Sequence, residues 1–117
     1  MHLLPPDAAY LWDIVEAAEA IQGYIAGLDL VRYAQDRQVR SAVERELEII
    51  GEAARRLSVE FRSQHPEVPW TSIVAQRNAL AHEYQRIEHA RIWKVITESL
   101  PQLEQGLRPL LPPPPSS

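Results

Sequence analysis

The feature that most constrains the fold is a regular row of apolar residues within residues 37–63, the longest stretch of helical pattern in the chain. Its members recur at intervals of 4, 3, 4, 3 and 4 residues: Val43, Leu47, Ile50, Ala54, Leu57 and Phe61. This spacing averages about 3.5 residues, the period that keeps one face of a helix against a packing partner. The row therefore predicts a long helix, capped by Asp36, inside a helical bundle.

The chain before this helix predicts one more helix and a link. Apolar residues recur at steps of three and four over residues 8–28, and Asp7 stands before them as a candidate cap. Gly23 and Gly27 lie at the end of the pattern, where glycine favours termination. Residues 29–35 are expected to form a short connection.

Three shorter helices are expected after the long one. Pro66 and Pro69 cannot continue it, and Trp70 opens a third helix with Thr71 as its cap, which runs to about residue 82 or 83. A fourth helix is predicted over residues 88–99. A fifth, short segment then starts at Pro101, a proline suited to a first helical turn.

The whole pattern predicts an all-α, up-and-down bundle of four to five helices. No stretch alternates apolar and polar residues with a period of two, so no sheet is expected. Short links make successive helices antiparallel neighbours. We divide the chain into an N-terminal extension (1–7), one helical domain (8–111) and a disordered Pro/Ser tail (112–117).

Composition removes several classes of function. The chain has 117 residues and no cysteine, which excludes disulfides, thiolate nucleophiles and cysteine-based zinc sites. It has no apolar run of the ~20 residues that a membrane span needs, and no signal-peptide pattern, so a cytoplasmic location without membrane contact is expected. The formal charge of −4 argues against a protein that coats nucleic acid, although it leaves a local basic site open.

The sequence also lacks the patterns of a metal or cofactor site. None of the four histidines lies at metal-ligand spacing from another: His2, His65, His82 and His89. A di-iron bundle needs Glu-x-x-His repeats, and the pair Glu16 and Glu19 has no such histidine. No glycine-rich phosphate loop is present. We therefore expect neither a metal nor a cofactor.

One stretch, residues 76–84, concentrates polar side chains among small and apolar ones. It holds Arg77, His82 and Tyr84 within eight positions, and Asn78 shares a helical face with His82. Arg77 and His82 are about 140° apart around an ideal helix, so they do not converge on one small ligand from a single unbroken helix. Either the helix breaks near His82, or a second copy of the chain completes the site.

These residues carry a resemblance to a known family. The run Arg77-Asn-Ala-Leu-Ala-His82-Glu-Tyr84 matches R-x4-H-x-Y, and the chain resembles the HepT-like toxin branch of HEPN domains. The opening helix (10–14), the long helix (47–57) and the approach to the motif (66–73) are similar as well. The resemblance spans roughly Tyr10 to Leu110. Gln76 and Gln85 depart from residues common in the family, outside the motif positions.

The resemblance implies a homodimer in which the two motifs meet at a cleft. It implies a metal-independent endoribonuclease, the toxin of a two-gene toxin–antitoxin pair, with Arg77 and His82 as catalytic residues and Asn78 and Tyr84 in support. Its implied partner is an MntA-type minimal nucleotidyltransferase antitoxin, which neutralises the toxin by transferring AMP from ATP to the motif tyrosine, Tyr84 here. The alternative is a non-catalytic HEPN module that binds this partner and is modified by it. A plain assembly subunit would leave Arg77 and His82 unexplained.

Overall fold

The computed structural model describes residues 5–71, 73, 74 and 89–113, and within these ranges all regular structure is helical. The predicted all-α class is thereby confirmed. We number the main helices in chain order: α1 (Pro5–Ile25), α2 (Leu30–Gln35), α3 (Arg37–Arg56), α4 (Val59–Gln64), α5 (His89–Lys94) and α6 (Leu100–Leu107). Residues 70, 71, 73 and 74 are helical too. A π-helical turn, Val95–Ser99, joins α5 to α6, and a 3₁₀ turn, Arg108–Leu110, follows α6.

Helices α1 and α3 form the central antiparallel pair. The start of α1 meets the end of α3, where Asp7 binds Ser58, and the end of α1 meets the middle of α3, where the Tyr24 hydroxyl donates to Glu46 at 3.0 Å. The apolar row that predicted α3 is buried throughout: Val43, Leu47, Ile50, Ala54, Leu57 and Phe61. It packs against buried residues of α1 such as Ile14 and Ile21.

The last helical segment, 89–110, runs alongside α1 in the opposite direction. Gln22, near the end of α1, donates to Glu104 at 2.8 Å, whereas Trp12, near its start, donates to the carbonyl of Pro112 at 3.2 Å. Ile96 and Leu107 are fully buried in the shared core. These pairings confirm an up-and-down arrangement. No helix within the described ranges has the length and hydropathy to cross a lipid bilayer.

The first helix starts earlier than predicted, and Asp7 is not its cap. α1 begins at Pro5, because a missing backbone N–H costs nothing in a first helical turn. The Asp7 side chain is only 3% exposed and accepts two hydrogen bonds from Ser58, from its N–H at 2.8 Å and its hydroxyl at 2.6 Å. Gly27, by contrast, fulfils the predicted terminating role, since it lies just past α1 with a φ of +79°.

The predicted connection 29–35 is wrong, since most of it forms the short helix α2. The Asp29 carboxylate caps this helix by accepting from the N–H of Arg32 at 2.8 Å. A helix of six residues is too short to display an apolar period, which is why the sequence pattern misses it. Asp36 caps α3 as predicted, by accepting from the N–H of Val39 at 3.1 Å.

The long predicted helix is interrupted before residue 63. α3 ends at Arg56, Leu57 and Ser58 adopt extended ψ values of 144° and 151°, and α4 then begins at Val59. Asp7 binds the N–H of Ser58, which would otherwise continue the helical hydrogen bonds of α3. The Ser58 hydroxyl also accepts from the N–H of Phe61 at 3.0 Å and so caps α4.

Two later boundaries also differ from the prediction. Trp70 is already helical, so Thr71 is not a cap; the carbonyl of Pro69 accepts from the N–H of Ile73 at 3.1 Å. The two helices predicted around Pro101 are continuous, and Pro101 does lie in the first turn of α6. Because proline lacks an N–H, the turn before it widens, and the N–H of Leu100 bonds to the carbonyl of Val95, five residues back.

Candidate functional site

The four residues predicted to form the site, Arg77, Asn78, His82 and Tyr84, lie outside the described residues. The predicted end of the third helix, near residue 82 or 83, lies outside them as well. What the structure provides is the protein on either side of segment 75–88: the approach that ends at Val74, and the helix that starts at His89.

The approach to the motif segment is fixed by an aromatic cluster at the end of α4. Trp70 is buried, and its indole N–H donates to the carbonyl of His65 at 3.0 Å. The Phe61 ring contacts both neighbours, with centroids 6.1 Å from Trp70 and 4.6 Å from His65. Aromatic contacts of this kind, combined with a buried hydrogen bond, hold a chain segment firmly in place.

His65 is the one histidine of this cluster and is 8% exposed. Its Nδ1 lies 3.3 Å from a carboxylate oxygen of Glu67, whereas its Nε2 is buried and has no partner within the described part of the chain. The backbone carbonyl of His65 holds Trp70, so its place at the end of α4 is set by packing. We read it as a structural residue of the approach.

A second aromatic cluster fixes the other side of the motif segment. Tyr33 of α2 is 1% exposed and packs on Trp93 and His89 of α5, with ring centroids at 5.3 Å and 6.5 Å. Burial, and to a smaller extent the nearby charge of Glu44, raise the pKa of Tyr33 to about 12, while Arg40 acts in the opposite direction. The Tyr33 hydroxyl is therefore protonated at neutral pH, close to the charged side chains of α3.

A cavity of about 290 Å³ lies between α3, the approach and the C-terminal helical segment. Ile73, three residues after Trp70 on the chain that leads toward the motif, forms part of its wall. Most of the described side chains around it are apolar: Leu47, Ile50, Val68, Pro69, Val95, Leu100 and Leu103. A cavity with this lining suits an apolar group and offers no described acid–base pair for chemistry.

Charge is unevenly distributed over the molecule. Residues 1–31 contain five carboxylates and neither lysine nor arginine. At the C-terminal end of α3, Arg55 and Arg56 both bind Glu52 and hold the pKa of its carboxyl at about 2. Arg108 binds Glu19 and Glu104. Within the described ranges, no three acidic or histidine side chains come together in a way that could hold a metal ion.

The corner between α2 and α3 carries three arginines of a different kind. Arg32, Arg37 and Arg40 make no ion pair with any carboxylate of the described residues. Arg32 and Arg37 are exposed and line one shallow groove. Sequence analysis did not single out this corner. The signal was present, because residues 30–40 hold three arginines against the single acid Asp36.

Known proteins resemble the chain over most of its length. The family model that matches residues 14–110 is described as Ribonuclease HepT-like. "Putative RNase MJ1380" of Methanocaldococcus jannaschii is 37% identical over 97 residues, which cover 83% of this chain and 89% of that protein. "Probable ribonuclease HepT" of Thermococcus cleftensis is 36% identical over 95 residues, 81% of this chain and 86% of that protein.

"Putative RNase TTE0752" of Caldanaerobacter subterraneus subsp. tengcongensis is a third such relative, 35% identical over 102 residues, which cover 87% of this chain and 91% of that protein. No solved structure matches the chain. The residues that the family model matches include the approach, the motif segment and both aromatic clusters. This chain therefore belongs to the HepT-like ribonuclease family.

Proposed function

We propose that this chain is a metal-independent endoribonuclease of the cytoplasm and the toxin of a two-gene toxin–antitoxin pair. The observation that carries the proposal is the intact R-x4-H-x-Y motif, Arg77 to Tyr84, within a chain whose residues 14–110 match the ribonuclease family. The described structure supports it by fixing both sides of the motif segment in the core, through Trp70 on one side and His89 on the other.

RNA brings its own nucleophile to this reaction, which is why acid–base chemistry suffices. The 2′-oxygen bonds to phosphorus while the bond from phosphorus to the 5′-oxygen breaks, which leaves a 2′,3′-cyclic phosphate and a free 5′-hydroxyl. His82 takes the proton of the 2′-hydroxyl, since an imidazole with a reference pKa of ~6.5 exchanges protons near neutral pH. In a homodimer, the second copy of His82 gives a proton to the departing 5′-oxygen.

Arg77 stabilises the negative charge that develops during this step. Its planar guanidinium donates paired hydrogen bonds to non-bridging phosphate oxygens, which gain negative charge in the transition state. Asn78 lies four residues before His82 and orients the imidazole or the phosphate from the same helical face. Ideal helix geometry gives a reason for a dimer, because Arg77 and His82 would lie about 140° apart on one regular helix and would not converge on the same ligand.

Tyr84 is the proposed point of control. A partner nucleotidyltransferase of the MntA type joins the Tyr84 oxygen to the α-phosphorus of ATP and releases pyrophosphate. The attached AMP adds bulk and negative charge beside the catalytic histidine, so it repels the phosphates of RNA. Neutralisation by this route leaves the fold of the toxin unchanged.

The test combines cleavage and neutralisation in one assay. Purified protein is incubated with RNA and EDTA, before and after treatment with the partner enzyme and ATP. We expect wild-type protein to cleave RNA in EDTA and to lose this activity after treatment with the partner enzyme and ATP. Tyr84→Phe should still cleave RNA after the same treatment. The matched control is Tyr24→Phe, which removes an exposed hydroxyl bonded to Glu46 and should be neutralised like wild type. Neutralisation of Tyr84→Phe would contradict the assigned modification site.

The second candidate is a non-catalytic module that binds the nucleotidyltransferase and serves as its substrate. The net charge of −4 favours it, because RNA-binding proteins gain affinity from positive potential. The intact Arg77 and His82 favour the enzyme. The same assay separates the two functions, since the module would accept AMP on Tyr84 and would cleave no RNA at any stage.

A further inference from the structure

We infer that the corner between α2 and α3 is a docking surface for the phosphate backbone of single-stranded RNA, formed by Arg32 and Arg37, with Arg40 one helical turn further along α3. We call it the arginine corner. The inference rests on the proposed ribonuclease function and deepens it, because it assigns substrate contacts that the motif residues do not supply. It also explains how a chain with a net charge of −4 attracts RNA.

The first argument is that two of these arginines, Arg37 and Arg40, lie where a cation does not stabilise the helix that carries it. Arg55 and Arg56 lie at the C-terminal end of α3, where cations complement the helix dipole, and both bind Glu52. Arg37 and Arg40 lie in the first turns of the same helix, at its positive end, where a cation is unfavourable. An anionic ligand bound at this end would offset the unfavourable interaction between these cations and the positive end of the helix dipole.

The second argument is that the guanidinium groups of Arg32 and Arg37 are free to bind. Both side chains are exposed, and neither forms an ion pair within the described residues. The carboxylates that stand nearest in sequence are occupied by backbone N–H groups, because Asp29 caps α2 and Asp36 caps α3. The corner thus offers guanidinium forks whose local acids are already engaged.

The third argument concerns the shape and lining of the corner. Arg32 and Arg37 face one shallow groove, whose other walls are formed by Gln35, Gln38, Asp36 and Leu28. Arginine and glutamine side chains donate hydrogen bonds to phosphate and sugar oxygens without reading a base sequence. A groove of this composition suits the backbone of a nucleic acid better than the apolar core of a protein partner.

The fourth argument is the position of the corner beside the motif segment. Arg40 lies close enough to Tyr33 to lower the pKa of its hydroxyl, against the larger effect of burial. Tyr33 in turn packs on Trp93 and on His89, the first residue described after segment 75–88. An RNA strand held by the corner would therefore extend along the helix that leads out of the motif segment.

The test measures binding of a single-stranded RNA oligonucleotide whose 2′-hydroxyls are methylated. Such a probe lacks the nucleophile, so binding is measured without cleavage. The variant is Arg32→Gln/Arg37→Gln, in which both residues are exposed and the half-buried Arg40 is left in place. The control is Arg55→Gln/Arg56→Gln, which removes the same two charges from exposed positions at the far end of α3.

We expect the corner variant to bind the probe about 10- to 30-fold more weakly at 0.1 M salt, and its salt slope to fall by about 1.4, as for two lost phosphate contacts. The control should stay within about twofold of wild type, with an unchanged slope. Equal weakening of both variants would show an effect of net charge alone and would overturn the inference.

Two further outcomes also overturn it: wild-type protein that fails to bind the probe, and a corner variant that binds RNA normally but loses affinity for the nucleotidyltransferase. The latter would make the corner a protein interface. Cleavage of unmodified RNA, followed in parallel, separates the two proposals. A wild-type protein that binds RNA through the corner without cleaving it contradicts the proposed function alone, whereas cleavage with an unaffected corner variant contradicts the inference alone.

Discussion

At the scale of single residues, one buried carboxylate decides where the longest helical pattern breaks. Asp7 accepts both hydrogen bonds that Ser58 offers, and Ser58 caps the next helix with the same hydroxyl. The sequence marks Asp7 as a cap residue but does not reveal that its partner lies 51 positions away. Long-range hydrogen bonds of this kind leave no local period, which is why sequence analysis placed the end of the long helix seven residues too late.

Removing this carboxylate should weaken the fold more than removing an exposed one. Asp7→Ala leaves the N–H of Ser58 without a partner in a largely buried site, so we expect a loss of about 2–3 kcal/mol in the free energy of unfolding. The exposed Asp13 on the same helix is the control, and Asp13→Ala should change the free energy of unfolding by about 0.5 kcal/mol or less. Urea unfolding measures both; equal losses would contradict the role of Asp7.

Tyr33 gives the fold a measurable dependence on alkaline pH. Its pKa is about 12 in the folded chain and about 10 when unfolded, so the stabilisation is fully present below pH 10 and is lost as the pH rises toward 12. Phenylalanine at position 33 cannot ionise. Over that interval we therefore expect the free energy of unfolding of Tyr33→Phe to fall by about 1–2 kcal/mol less than that of wild type. Urea unfolding of both proteins at pH 9 and pH 11.5 tests this. An equal fall in the free energy of unfolding of wild type and Tyr33→Phe would contradict the burial of the hydroxyl.

At the scale of elements, the apolar period predicted the face of each helix better than its ends. All six members of the row from Val43 to Phe61 are buried, although the helix that carries them breaks after Arg56. The row stays buried because Leu57, at the break, and Phe61, in α4, still lie in the core. α2 escaped prediction altogether, since its six residues are held by the Asp29 cap and by Tyr33 rather than by a periodic face.

The two glycines near the end of α1 should respond to alanine in opposite ways. Gly27 has a φ of +79°, which an L side chain adopts only with strain, so Gly27→Ala should destabilise the fold by about 1 kcal/mol. Gly23 lies in the last turns of α1, and a Cβ there would meet no atom within 4 Å. Gly23→Ala should therefore stabilise the fold by up to about 1 kcal/mol. Thermal unfolding tests the pair, and shifts of the same sign would contradict the boundary of α1.

At the scale of the whole molecule, sequence and structure answer different parts of the question. The sequence supplied the motif residues, because Arg77, His82 and Tyr84 stand at a spacing that no packing pattern requires. The structure supplied the protein on both sides of the motif segment, since Tyr33 joins the distant residues His89 and Trp93, and the local cluster around Trp70 fixes the approach. The sequence shows the arginines of the corner, but only the structure shows that Arg32 and Arg37 form no ion pair within the described residues.

The proposed site also requires two copies of the chain. A mass near twice 13.3 kDa is expected in solution, because Arg77 and His82 of one regular helix do not face the same ligand. Light scattering coupled to size exclusion measures this mass for wild type and for His82→Ala. Both should be dimers, since His82 serves chemistry in this account; a monomeric wild-type protein that cleaves RNA would contradict the shared cleft.

The rate of RNA cleavage by His82→Ala in the presence of EDTA tests the central claim most directly. General acid–base catalysis contributes about 10²–10⁴ to a rate, so the account predicts a loss of at least about 100-fold in a variant that keeps the wild-type mass and melting temperature. Cleavage by His82→Ala within a few-fold of wild type would contradict it.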